Sequence, residues 1–332
     1  GIKNSPRIQQ ALLARIQDSL PVPVQAADME LDFFPFPLVR ASGVEIHLPR
    51  AGLVTAKELE IRPSFKHLLL GRLSLAEAVV TGPRVDLDIS APEQDLGQEK
   101  MQAVIQKVSS ALPQGAELGI FSGILGLSFP QGKQVIFTRV FARLAHAETI
   151  TLDLQTRGDL AHSLHLFAEI PANQDQIQGT AQIEGLQADR VLSLLGPPEL
   201  PLCFQSGFVT INSSFTVHND LRLNAHLDLT AENLRVSTQH STRDISGLAV
   251  ESTLQLQASS LYADIHDARL RDPQISLTGQ IGADFQHPWL QLGVQGRDLI
   301  VPPVAGICMD LFPKSKFLNK LFGVIRAGRV PD

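Results

Sequence analysis

LRLNAHLDLT, residues 221–230, sets Leu221, Leu223, Ala225, Leu227 and Leu229 against Arg222, Asn224, His226, Asp228 and Thr230 in strict alternation. Successive side chains of a strand point to opposite faces, so this run reads as a half-buried strand with one apolar and one wet face. The same period runs through TITLDLQT (149–156), SLHLFAEI (163–170), IQGTAQIEG (177–185), STLQLQA (252–258) and QISLTGQIGADF (274–285). Strands with one wet face belong to antiparallel sheets. Helical spacing is sparser: the sequence predicts helices over 6–19, 93–112, 188–195, 303–312 and 315–327, with Gly82-Pro83, Gly196-Pro197-Pro198 and Pro302-Pro303 as punctuation. The expectation is a mainly β protein with a few helices, its curved, largely antiparallel sheet or sheets forming a groove or an open sandwich. A faint echo between 180–195 and 292–307, each a strand ending in glycine before a short apolar helix, suggests repeated sheet modules.

The chain has 332 residues, 44% of them hydrophobic, enough for one large or two ordinary folded domains. Its formal charge is −6, with 34 acidic and 28 basic side chains, which argues against nucleic acid as a partner because phosphate binding needs a basic field. Two cysteines, Cys203 and Cys308, stand alone, so neither a disulfide framework nor a zinc site is signalled. The most apolar run, LGIFSGILGLSFP (118–130), is shorter than the ~20 residues that span a bilayer and is interrupted by three glycines. A start at Gly1 and an end at VPD suggest a processed piece whose targeting segment lies elsewhere.

Chemistry that would mark an enzyme is missing from the sequence. There is no GxSxG, GxxxxGK[ST], HExxH or GxGxxG, so nucleophile-elbow, P-loop, zincin and dinucleotide readings lack their signatures. His162 and His165 are expected on opposite faces of one strand, which suits no shared metal. Asp86 and Asp88 share a face opposite Val85, Leu87 and Ile89, the arrangement of a solvated strand side. The expectation is therefore no catalytic residue, no metal and no cofactor.

The first third carries a resemblance. A helical stretch is followed by PVPVQAADMELDFFPFPLVRASGVEIHLP, then by LVTAKELEIRPSF, a leucine-rich turn HLLLGRLSL, and a return strand AVVTGPRVDLDIS. Residues 5–90 in this order resemble the N-terminal module of the AsmA family of bacterial envelope proteins, which is similar in style to bridge-like lipid carriers. The resemblance implies a periplasmic protein tethered to the inner membrane through an N-terminal anchor absent from this chain. It further implies phospholipid or another envelope lipid as partner, a part in outer-membrane organisation, and other envelope proteins as further partners. The domain expectation is a helix-strand module over 1–92, a connecting helix over 93–114, sheet modules over 115–312 and a basic amphipathic helix over 313–332.

An apolar sheet face must be covered by another sheet, by helices, or by something other than protein. Alternating leucines also describe the core of a closed sandwich, which would make the chain a structural or protein-interaction module. Under the lipid reading, Leu152, Leu154, Leu166, Ile183, Leu223, Leu227, Leu254, Leu256, Leu277 and Ile281 line the groove. KSKFLNKLFGVIRAGR (314–329) has no acid, and its Lys314, Lys316, Phe317, Lys320, Leu321, Phe322 and Arg326 are the candidates for a membrane surface. In the aromatic corner, Phe33, Phe34 and Phe36 are expected to wedge the first helix against the sheet while Pro35 and Pro37 set the chain direction.

Overall fold

A computed structural model describes residues 24–32, 36–48, 52–70, 74–88, 112–129, 132–171, 176–195, 202–218, 220, 222–238, 242–257, 260–271, 275–284, 287–295, 299–300 and 329–330. Strands account for 82% of the structure and helices for 5%, so little helix is on hand to cover sheet faces among the described residues. The sequence-predicted helices over 6–19, 93–112, 303–312 and 315–327 lie outside the described residues or almost wholly so, as do Phe33, Phe34 and Pro35. The chain divides into two compact units, Gly1–Asp159 with Ser163–Ile177, and Leu160–His162 with Gln178–Asp332.

The first unit holds β1 (Val24–Asp32), β2 (Leu38–Leu48), β3 (Gly52–Pro63), the short helix α1 (Phe65–Leu69), β4 (Leu75–Thr81), β5 (Arg84–Asp88), β6 (Glu117–Ser128), β7 (Gln134–His146), β8 (Thr149–Gly158) and β9 (Ser163–Pro171). Its sheet order is β1-β2-β3-β4-β6-β7-β8-β9, with β5 paired to β3 and β6. Neighbours are antiparallel except where β4 and β5 run parallel to β6. The segment read as one return strand, AVVTGPRVDLDIS, is thus two strands. Gly82 breaks it by taking a φ of 62°, a left-handed conformation that glycine adopts without a Cβ penalty. The kink stays tied to β6, because Gly82 N–H donates to Phe121 O at 2.7 Å and Ile124 N–H donates to Pro83 O at 2.7 Å.

The second unit contains β10 (Gln176–Gln187), α2 (Ala188–Leu195), β11 (Leu202–His218), β12 (Leu223–Thr238), β13 (Thr242–Gln257), β14 (Ser260–Leu270), β15 (Ile275–Asp284) and β16 (His287–Gln295). They are hydrogen-bonded in that strand order, and β11 to β16 form successive antiparallel pairs. A separate two-stranded pair joins β17 (Leu299–Ile300) to β18 (Arg329–Val330). Helix α2 forms where ADRVLSLL was expected to be helical, with Asp189 in its first turn, where a carboxylate complements the positive helix end.

Most of the buried hydrophobic residues described are alanine and valine, alongside Met29, Leu112, Phe137, Ile150 and Leu234. One cluster joins Met29, Val39, Ala41, Val44 and Ala56; another joins Ala188, Val209, Ala231, Leu234 and Val236, where α2 lies on β11. Among the described residues the largest side chains below 2% exposure are Leu112 and Val44. Leu112 and Leu234 are buried, whereas Leu152, Leu154 and Leu166 are only partly buried.

Candidate functional site: two apolar sheet faces

Residues directly opposite one another across a strand pair share a face, so the pairing register reads out continuous rows. In the first unit one row runs Met29–Ala41–Leu59–Val80–Ile120–Ala142–Leu154–Leu166, apolar across eight strands. Beside it runs Val39–Ile61–Ala78–Leu118–Leu144–Leu152–Ala168. The expected groove residues Leu152, Leu154 and Leu166 therefore meet on one face, and all three are partly buried rather than enclosed. Leu118 in the second row is 36% exposed.

The opposite face of the same unit is ionic. Arg40 donates to Glu60 at 2.8 Å, Arg62 to Glu77 at 2.7 Å, and Arg143 to Glu117 at 2.6 and 2.7 Å. Hydrogen bonds donated to the Glu60 and Glu117 carboxylates raise the Arg40 and Arg143 pKa values above their ordinary level. Arg84 pairs with Asp86 at 3.0 Å and both are exposed, so the Asp86 and Asp88 side of β5 is the solvated one, as its alternation implied.

In the second unit the rows are Val217–Leu223–Leu256–Leu261 and Phe215–Ala225–Leu254–Ala263, with Ile281 at the next register position of the latter. A third row carries Ile211, Leu229, Val250 and Ala268, with Leu277 opposite Ala268. Leu227 sits between Ser213 and the buried Ser252, so its row is partly polar. Leu223, Leu227, Leu254 and Leu256 are partly buried; the side chains of Leu277 and Ile281 are outside the described set. On β10, Ile183 shares its face with Ile177 and Ala181, opposite the exposed Gln178, Thr180, Gln182 and Glu184. Helix α2 covers the Val209–Ala231–Leu234 end of this face, with Leu186, Ile211 and Leu229 packed at the margin.

An open groove of about 510 Å³ lies on the second unit, lined by the polar rows Ser214–His226–Thr253 and Thr216–Asn224–Gln255 and by Gln178. The row Phe215–Ala225–Leu254 between those two also lines it, so of the expected groove residues Leu254 borders this space. None of Leu223, Leu227 and Leu256 lines it. Among its walls, Asn224 lies 3.2 Å from His218 and Thr253 lies 3.2 Å from His266.

One expectation changes. His162 precedes β9 rather than lying on it, and its ring rests on Phe208 at 5.0 Å. His165 lies on the strand, with Nε2 2.9 Å from Asp153. Phe36 is 63% exposed and meets Phe65 of α1 edge-on at 6.0 Å; the first helix that it was expected to wedge lies outside the described residues. The basic stretch with Lys314, Lys316, Phe317, Lys320, Leu321, Phe322 and Arg326 lies outside the described residues.

Among the described residues no group of three or more His, Cys, Asp or Glu side chains is arranged to hold a metal, and no helix is long and apolar enough to cross a membrane. The chain matches no family model, no curated protein and no solved structure at a significant level.

Proposed function

We propose that this chain is a non-catalytic lipid-binding or lipid-transfer segment of the bacterial cell envelope, its cargo lying along the apolar rows of the sheet. The observation that carries the reading is the alignment of Leu152, Leu154 and Leu166, all only partly buried, in unbroken apolar rows. The Met29–Leu166 row crosses eight strands, about 34 Å at ~4.8 Å per strand, comparable to the ~30 Å hydrocarbon thickness of a bilayer. Burying an acyl chain of about 16 carbons is worth on the order of 10 kcal/mol before ordering costs, and it needs no directed hydrogen bonds. That suits a face with leucine, isoleucine, valine and alanine and no polar anchor in its main rows.

The AsmA-like order of the first 90 residues suggests the setting: the periplasm, with the full-length protein tethered to the inner membrane and a part in outer-membrane organisation, alongside other envelope proteins. Native mass spectrometry of the gently purified protein tests the reading. Co-purifying phospholipid, or uptake of added phospholipid, is expected. A clean lipid-free mass that stays unchanged after incubation with phospholipid would instead make the chain a structural or protein-interaction module.

A further inference from the structure

The ionic face of the first unit is broken by an apolar patch. Phe121 is 48% exposed, Phe141 41% and Ile136 38%, and the two rings meet edge-on at 6.2 Å. Phe121 and Phe141 share this face with Glu117 and Arg143 by plain alternation, and the adjacent bulges in β6 and β7, which interrupt the pairing between Ile120 and Gly123 and between Thr138 and Phe141, bring Ile136 to it as well. Each bulge turns two successive residues outward, Phe121 with Ser122 and Thr138 with Arg139, while Gly123 and Val140 stay buried. Ser122 and Arg139, at φ 55° and 53°, are the non-glycine residues with positive φ among the described residues. A side chain in the left-handed region is strained, and such strain persists where the surroundings enforce it, characteristically at binding sites.

Charge completes the picture. The arginines elsewhere on this face are matched: Arg40, Arg62, Arg84 and Arg143 each pair with a carboxylate. Arg139 and Arg157 are exposed, and among the described residues no carboxylate pairs with either. Arg157 lies opposite Thr138 beside the bulge. Two unmatched guanidinium groups thus flank three exposed apolar side chains in a chain of net charge −6.

The geometry points to an anionic phospholipid surface as the occupant of this patch, with Phe121, Phe141 and Ile136 entering the headgroup boundary and Arg139 and Arg157 meeting phosphates. Three apolar side chains supply a few hundred Å² at most, well below the ~800 Å² per partner of a stable protein interface, whereas a bilayer asks only for insertion and diffuse charge. Arginine suits phosphate because its planar fork donates in pairs. This contact lies on the face opposite the apolar rows and does not rest on their carrying lipid.

Flotation of the full chain with vesicles of phosphatidylcholine, with and without phosphatidylglycerol, tests it. The protein is expected to float with the anionic vesicles, less so at high salt, and both Phe121→Ser/Phe141→Ser and Arg139→Gln/Arg157→Gln should weaken partitioning by about tenfold. Circular dichroism checks that each variant is folded; the arginine pair, being exposed, keeps the test open if the phenylalanine pair does not fold. Several results would overturn the inference: no flotation by the wild type, flotation unchanged by the arginine pair, or loss seen only on changing Lys314 and Lys320. A dimer abolished by the same substitutions, without vesicle binding, would assign the patch to a second copy instead.

Discussion

Leu154→Ala and Leu154→Asp separate an open apolar face from a closed core. Leu154 sits between Ala142 and Leu166 in the eight-strand row and is partly buried. Truncation to alanine removes about three methylene equivalents at ~0.8 kcal/mol each; with roughly half of that surface already withdrawn from water, the lipid-free protein should lose ~1 kcal/mol. The other half is withdrawn from water only when hydrocarbon lies on the row, so lipid retention should fall about fivefold. Aspartate at the same position keeps its carboxylate hydrated when the face is empty, so the protein should stay folded, yet placing that charge against an acyl chain costs several kcal/mol and should abolish retention. Urea unfolding followed by circular dichroism gives the first quantity, and native mass spectrometry with phospholipid gives the second. A loss of ~3 kcal/mol or more for the alanine variant, or unfolding of the aspartate variant, is the behaviour of an enclosed core and would refute the reasoning.

The covered part of the structure should respond differently. Leu234, 3% exposed in the cluster under α2, should cost ~2–5 kcal/mol when changed to alanine, with lipid retention per folded molecule unaltered; urea unfolding and native mass spectrometry check both halves. Gly207→Ala should cost ~2 kcal/mol or more, because a Cβ there would lie 2.6 Å from the Asn233 carbonyl oxygen at a φ of +135°. Gly132→Ala, at φ +74° with nothing within 4 Å, should cost only ~1 kcal/mol of backbone strain, and thermal unfolding ranks the two. The Arg235 guanidinium, hydrogen-bonded to Asp244 across β12 and β13 at 2.8 Å, holds that carboxyl below its ordinary pKa. Its stabilisation is therefore present above the unfolded-state pKa and lost as pH falls through the folded one; carboxyl NMR titration should show the lowered value, and Arg235→Ala should restore it.

Strands whose alternation runs unbroken were legible in the sequence. The runs at 149–156, 163–170, 177–185 and 221–230 became β8, β9, β10 and the first half of β12, and the expected groove residues within them fall on the less exposed side. Elsewhere the period slips. In β6 and β7 the bulges place two successive residues outward, so LGIFSGILGLSFP reads as a bare apolar run, and its length was weighed against a bilayer when its irregularity was the informative feature. The same slip hides β14, where pairing shifts between Ile265 and Ala268, and β11, where it shifts twice between Phe204 and Val209. The parallel pairings of β4 and β5 with β6 join segments separated by up to some 40 residues, a relation no local period encodes. The exposed Phe121–Phe141 pair depends on which two strands lie side by side, which the local period does not encode.

Photo-crosslinking in cells tests the central claim most directly, with a benzophenone side chain replacing Leu154 or Leu227 and, as an opposite-face control, Asp228 in the second unit, whose polar face carries no proposed membrane contact. Phospholipid adducts at Leu154 and Leu227, and none at Asp228, are what the account predicts. No lipid adduct at either leucine, or labelling of Asp228 equal to that of Leu227, would contradict it.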